Sequence, residues 1–243
     1  MNKYFCLLGL MVLVGCASLG REGVQEPMHY EAASTRRVDV PYLCYLPKGY
    51  STSKERWPLV IFLHGSGEAG TDLGKLKGGL PGLAAKGKEF PFVLISPLAR
   101  SKHWWDVDDL DQLLDFVLKE YRVDPDRVYL TGLSLGGYGT WDWAEHRPDR
   151  FAAIVPIAGG GDPLEADRLK LVPTWAFQGL VDKVVPVNES IRMVDAMNKT
   201  GGHARLTLYP GVGHNSWTRA YDTPELFTWM LAQKRQSSKR LEE

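Results

Sequence analysis

Alternating strands and helices predict an α/β protein, a three-layer α/β/α sandwich around a mostly parallel central sheet. Two observations carry the prediction. Short, continuously apolar runs recur at residues 59–63 and 92–96 and beyond, as strands buried on both faces require. The stretches between them place apolar residues at spacings of three and four, the mark of helices covering a sheet. The chain has 243 residues, enough for one large domain with a sizeable core.

The elements follow in order. Residues 38–40 and 42–46 suggest a first strand or hairpin. Further strands are predicted at 59–63, 92–96, 127–131, 151–157, 174–177 and 206–209. A helix is predicted over 106–121, where Val107, Leu110, Leu113, Leu114, Val117, Leu118 and Tyr121 share one face. Asp106, Asp108 and Asp109 suit the positive end of its dipole. Other helices are expected at 138–146, 187–199 and 223–233. The sequence carries no internal repeat, low-complexity tract or second domain.

The first residues read as a secretory leader. Lys3 precedes an apolar run over 5–14 that is too short to span a bilayer. The run ends in Leu13-Val14-Gly15-Cys16, which resembles the lipobox of bacterial lipoproteins. That resemblance implies cleavage before Cys16, diacylation of its thiol and export to the outer membrane, periplasm or cell surface. Ala17 is not the acidic residue that retains some lipoproteins at the inner membrane. The competing reading is an ordinary cleaved leader with a chance cysteine. The expected organisation is a signal peptide over 1–15, a polar tether over 16–36 and one domain over 37–243. Only Cys44 then remains in the domain, so no disulfide within the chain is expected. Its place in a strand-like run fits a small buried hydrophobe.

Lys and Arg number 29, as do Asp and Glu, and no basic segment stands out. That balance points away from nucleic acid as a partner.

The strongest functional signal is Gly132-Leu133-Ser134-Leu135-Gly136, between a predicted strand and a predicted helix. The pattern itself arises by chance in roughly one chain in ten of this length. Its context adds the meaning. A strand-to-helix turn this tight strains the serine and holds its Oγ out at the top of a sheet. Glycine two residues to either side avoids collision with neighbouring backbone.

A serine hydroxyl needs a base within hydrogen-bond reach, and the base needs an orienting carboxylate. Asp182 follows the strand at 174–177, and His214 follows the strand at 206–209. Both therefore belong at strand C-terminal ends, where open α/β sheets place their ligands. Asp162, after Gly159-Gly160-Gly161, is the rival acid, although Pro163 beside it suggests a turn. His64 lies upstream of the serine and is the weaker candidate for the base.

Gly132-Leu133-Ser134-Leu135-Gly136-Gly137, His64-Gly65-Ser66-Gly67, Asp182 before Val185-Pro186, and Gly213-His214 together resemble an α/β-hydrolase fold esterase. The compact form resembles the carboxylesterases of the polyhydroxybutyrate-depolymerase-like, feruloyl and acetylxylan esterase group, over about residues 37–233. The resemblance implies a Ser134–Asp182–His214 triad working through an acyl-enzyme, with no metal or organic cofactor. Where similar proteins often have His-Gly, this chain has Gln178-Gly179. The backbone N–H of Leu135 is the first expected oxyanion donor. By resemblance the second is Ser66, with Gly65 and Gly67 open as alternatives.

About sixteen residues separate the strand ending near Ile157 from the one starting at Thr174, so no lid domain is expected and the site should be open. Small acyl groups, aromatic acyl groups or exposed esters on a polymer fit such a site, feruloyl and acetyl esters of plant polysaccharide among them. Trp104 and Trp105 are candidate substrate contacts, either through stacking or simply as packing against the next helix. Trp217 either borders the pocket or caps the final helix. Trp141 and Trp143 read as core, His103 as an exposed loop residue, and Glu68 as a side chain able to bond across the oxyanion loop. Two other functions compete with the esterase. One is a peptidase of the prolyl-oligopeptidase type, though the β-propeller that usually filters its substrates is missing from this sequence. The other is a non-catalytic glycan-binding lipoprotein.

Overall fold

The computed structural model describes residues 21–32, 38–100 and 104–235. The leader, Cys16, the first part of the expected tether and His103 lie outside the described residues. Among the described residues, no helix is long and apolar enough to cross a membrane.

Eight strands form one sheet: β1 (Gln25–Ala32), β2 (Val38–Tyr45), β3 (Trp57–Leu63), β4 (Val93–Pro97), β5 (Val123–Leu133), β6 (Ala153–Ile157), β7 (Thr174–Gly179) and β8 (Ala204–Tyr209). Their order is β1-β2-β4-β3-β5-β6-β7-β8. From β4 to β8 every pairing is parallel, while β2 runs antiparallel to both β1 and β4. Among the described residues the α-helices are α1 (Gly79–Ala85), α2 (Val107–Glu120), α3 (Leu135–His146), α4 (Asn188–Lys199), α5 (Trp217–Tyr221) and α6 (Pro224–Leu231).

Strand side chains alternate between two cores, which explains why the strands read as unbroken apolar runs. Leu59, Ile61 and Leu63 pack with Leu110 of α2, Trp141 of α3 and Met193 of α4. Val60 and Phe62 point the other way, to Leu80 of α1, Tyr221 of α5 and Met230 of α6. The sheet is thus covered on both faces, as the sandwich requires. Trp141 and Trp143 are fully buried within the first of these cores.

Helix α2 starts where its sequence says it should. Asp106 is the N-cap, and its carboxylate accepts the Asp109 N–H at 3.1 Å. Asp108 and Asp109 follow in the first turn.

Three features differ from the sequence reading. Residues 25–32 were expected to be tether, yet they form β1 at the edge of the sheet. Met28 and Tyr30 pack inward while Pro27, His29 and Glu31 are exposed. That half-buried alternation is weak, and Pro27 argues against a strand anywhere but at an edge. Of the two readings of residues 38–46, strand or hairpin, the structure takes the first, since β2 is a single strand. Helices α1 and α5 were not anticipated. Two glycines and a proline sit within the seven residues of α1, and α5 has only five, so neither shows a helical period.

Between β6 and β7 lies a single 3-10 turn, Ala166–Leu169, with no helical insertion. Cys44 is buried and free, and burial pushes its thiol up to about 12.

Candidate active site

The elbow between β5 and α3 has the strain its sequence implies. Ser134 adopts φ 55°, a left-handed conformation that non-glycine residues avoid. Its N–H donates to Ile157 O at 2.9 Å, and its carbonyl accepts the Tyr138 N–H at 3.0 Å. The glycines are dictated by contact. A Cβ on Gly132 would sit 2.3 Å from Gly136 O, and one on Gly136 would sit 1.9 Å from Leu63 O.

Two loops bring the partners in. His214 follows β8, and its Nε2 lies 2.9 Å from Ser134 Oγ. Its Nδ1 lies 2.8 Å from Oδ2 of Asp182, in the loop after β7. With the Nδ1–H donating to Asp182, Nε2 is left as an acceptor facing the hydroxyl. The imidazole is half-buried, whereas the carboxylate side chain has no exposed surface.

Asp182 is fully engaged. Oδ1 accepts the N–H groups of Val184 and Val185 at 2.8 and 3.0 Å. Oδ2 accepts Gln178 Nε2 at 2.9 Å as well as the His214 ring. Burial alone would raise its pKa, but the hydrogen bonds from His214, first, and from the Val184 and Val185 N–H groups hold the carboxyl below its usual range. The rival acid does not reach the histidine. Asp162 turns its carboxylate onto Leu164 N within its own loop.

Gln178 is the residue the sequence reading did not use. Its amide is buried, donates to Asp182 and to Val185 O, and accepts from Ser190 Oγ at 3.0 Å. The departure from His-Gly at this position was the available signal.

The loop after β3 lies against the elbow. A Cβ on Gly65 would stand 3.5 Å from Ser134 Cβ. Among the described residues, neither the Ser66 nor the Leu135 N–H has a hydrogen-bond acceptor. Beneath them His64 is fully buried. Its Nε2 accepts the Ala99 N–H at 3.0 Å and its Nδ1 meets Gly65 O at 2.7 Å. Burial lowers its pKa, so the ring is neutral and locks the loop rather than moving protons. Glu68 bonds across the loop to the N–H groups of Lys77 and Gly78, each at 2.7 Å.

The three candidate tryptophans separate. Trp105 is only 4% exposed, packing on His64 at 4.7 Å between ring centroids, so burial removes it as a substrate contact. Trp104 is 49% exposed, and its Nε1 donates to Asp142 at 2.7 Å. Trp217 opens α5 and stands edge-on to the His214 ring at 5.2 Å, so it borders the triad. Among the described residues, no group of three His, Cys, Asp or Glu side chains could hold a metal ion.

Comparison with known proteins agrees with this architecture. A solved structure described as a thermostable esterase superposes with a TM-score of 0.77 at 30% identity, covering 86% of this chain and 63% of its own. Poly(3-hydroxyalkanoate) depolymerase C of Paucimonas lemoignei is 31% identical over 42% of this chain and 28% of its own length. A probable feruloyl esterase C of Aspergillus terreus is 23% identical over 66% of this chain and 62% of its own. The chain thus spans less than two thirds of the length of each of these three. The fold is of the α/β-hydrolase type, shared with the esterases and S9 peptidases that the chain resembles. The model of the prolyl oligopeptidase family matches residues 82–171 and 162–235, more than half of the sequence, and the chain belongs to that family.

Proposed function

We propose that the protein is a serine carboxylesterase that cleaves short-acyl or aromatic esters, feruloyl or acetyl esters of plant polysaccharide among them. The observation that carries the chemistry is the unbroken chain from Asp182 through His214 to Ser134, with links of 2.8 and 2.9 Å. His214 takes the proton from Ser134 Oγ as the oxygen attacks the ester carbonyl. The Leu135 and Ser66 amides receive the oxyanion, and His214 then protonates the leaving alcohol. Water repeats the sequence to release the acid. Asp182 holds the ring and stabilises the imidazolium that forms.

Support for an ester of a polymer comes from the missing lid between β6 and β7 and from the esterase relatives. The Leu13–Cys16 pattern supports an exported, lipid-anchored enzyme. Hydrolysis of nitrophenyl acetate, methyl ferulate and acetylated xylan tests the reading, with a fluorophosphonate as covalent probe. Ser134→Ala is expected to lose labelling and to cut kcat by about 10⁶. Full activity in that variant would sink the assignment. A peptidase is the second reading, favoured by the family model. Cleavage of a prolyl anilide without turnover of nitrophenyl acetate would select it.

A further inference from the structure

A groove of about 340 Å³ runs along one face of α3, and no residue of the triad or of the oxyanion loop lines it. Tyr138, Asp142 and Glu145 line it from α3, Asp162 from the loop after β6, Arg192 from α4, and Trp104 from the segment before α2. Spacings of four and three put Tyr138, Asp142 and Glu145 on one helix face. Tyr138 lies one turn from Ser134, and Glu145 roughly 16 Å along the axis from it.

Trp104 is an unusual surface residue. A large aromatic ring that is 49% exposed would ordinarily sample several rotamers, but two contacts fix this one. Its Nε1–H is held by Asp142, and its ring lies 6.0 Å from that of Tyr138. The result is a pre-ordered aromatic face, at low entropic cost to a ligand, bordered by groups that exchange hydrogen bonds.

We propose that this groove is a subsite for a neutral sugar chain, the alcohol side of the ester, stacked on Trp104 and hydrogen-bonded along α3. The inference rests on the esterase reading and extends it to the leaving group. A purely apolar chain would strand the carboxylates of Asp142, Glu145 and Asp162. An anionic sugar would face those carboxylates with only Arg192 in its favour, and Arg192 is already held by Glu189 at 2.8 Å and by Gly161 O at 3.2 Å. A peptide ammonium would share the groove with the Arg192 guanidinium, and two of the acids already accept a donor. Asp142 receives the indole N–H, and Asp162 receives the Leu164 N–H. Glu145 is pushed up to about 7 by burial, so near neutrality it donates a hydrogen bond as readily as it carries charge. Hydroxyl groups, which both donate and accept, match this lining best.

The test is calorimetric titration of the full chain carrying Ser134→Ala, with xylotetraose and cellotetraose as neutral probes, trigalacturonate as an anionic probe and Gly-Phe amide as a cationic one. At least one neutral probe is expected to bind, and Trp104→Ala is expected to weaken it about tenfold or more. Asp142→Leu, which frees the indole, should weaken it too, while Asp142→Asn, which still accepts the N–H, should retain it. In the active enzyme, Trp104→Ala should lower the preference for acetylated xylo-oligosaccharide over nitrophenyl acetate by a similar factor. Failure of both neutral probes to bind, indifference to Trp104→Ala, or tighter binding of trigalacturonate or Gly-Phe amide would each overturn the proposal. Sugar binding in a protein that never turns over nitrophenyl acetate would overturn the esterase reading alone.

Discussion

Gln178→Leu removes one of the four hydrogen bonds on Asp182 while keeping a side chain of similar size. The buried amide donates to Asp182 Oδ2 at 2.9 Å and to Val185 O at 3.1 Å. A hydrogen bond to a charged group contributes about 1.5–3 kcal/mol. If all of it serves to hold the Asp182–His214 geometry, kcat falls roughly 10- to 150-fold. Stability should also fall by about 2–4 kcal/mol, because a carboxylate oxygen and a buried carbonyl each lose a donor. The pH dependence separates this role from plain packing. The Asp182 carboxyl is held below its usual range, so its contribution to stability is present above the unfolded value of about 3.9. That contribution disappears as pH falls through the folded value. In the variant the folded value moves back up, and acid unfolding should begin at higher pH. Gln178→Glu sharpens the test by placing a second carboxyl against Asp182. It should lose more activity at pH 8, where two like charges meet, than at pH 6, where a protonated Glu again donates. Steady-state hydrolysis of nitrophenyl acetate and acid titration followed by tryptophan fluorescence measure both effects. A kcat within twofold of the parent, together with an unchanged acid midpoint, would refute the reasoning.

Two further perturbations follow from buried groups. Glu145 is 4% exposed, and burial raises its carboxyl from 4.5 to about 7. The unfolded chain therefore releases this proton first, so stability is fully present below about 4.5 and declines as pH rises to about 7, by roughly 3 kcal/mol. Glu145→Gln should flatten that decline in thermal melts and make the protein relatively more stable at pH 8 than at pH 4.5. Gly136→Ala drives a Cβ to within 1.9 Å of Leu63 O, so the elbow must shift at a cost of about 3 kcal/mol or more. A melting temperature and fluorophosphonate labelling equal to the parent's would contradict that contact.

Much of the sheet was legible because its strands are buried on both faces. Residues 59–63, 92–96 and 174–177 had no polar alternation to confuse the reading, and each falls on an interior strand to within a residue. Helix α2 announced itself through a long apolar period and its acidic first turn. Edge strand β1 did not, since only Met28 and Tyr30 pack inward and Pro27 breaks the pattern. Ser134, Asp182 and His214 stood out because each sits at a strand end beside a glycine-rich or proline-marked loop. Gln178 was marked only by its departure from His-Gly, and an amide inside a strand shows its role only once its partners are known.

By itself the sequence determined the layered α/β architecture, the strained serine between β5 and α3, and the short list of acids and bases that could serve it. Those are local properties: periodicity, turn chemistry and chain order. Tertiary structure decided the rest, because it depends on what distant segments bring together. It turned Asp162 onto its own loop and Asp182 onto His214, and it enlisted Gln178 as a fourth donor to that carboxylate. It also divided two adjacent tryptophans, burying Trp105 against His64 and leaving Trp104 pinned and exposed above α3. Neighbours in sequence share composition, but burial is set by the helix and loop that arrive from elsewhere in the chain.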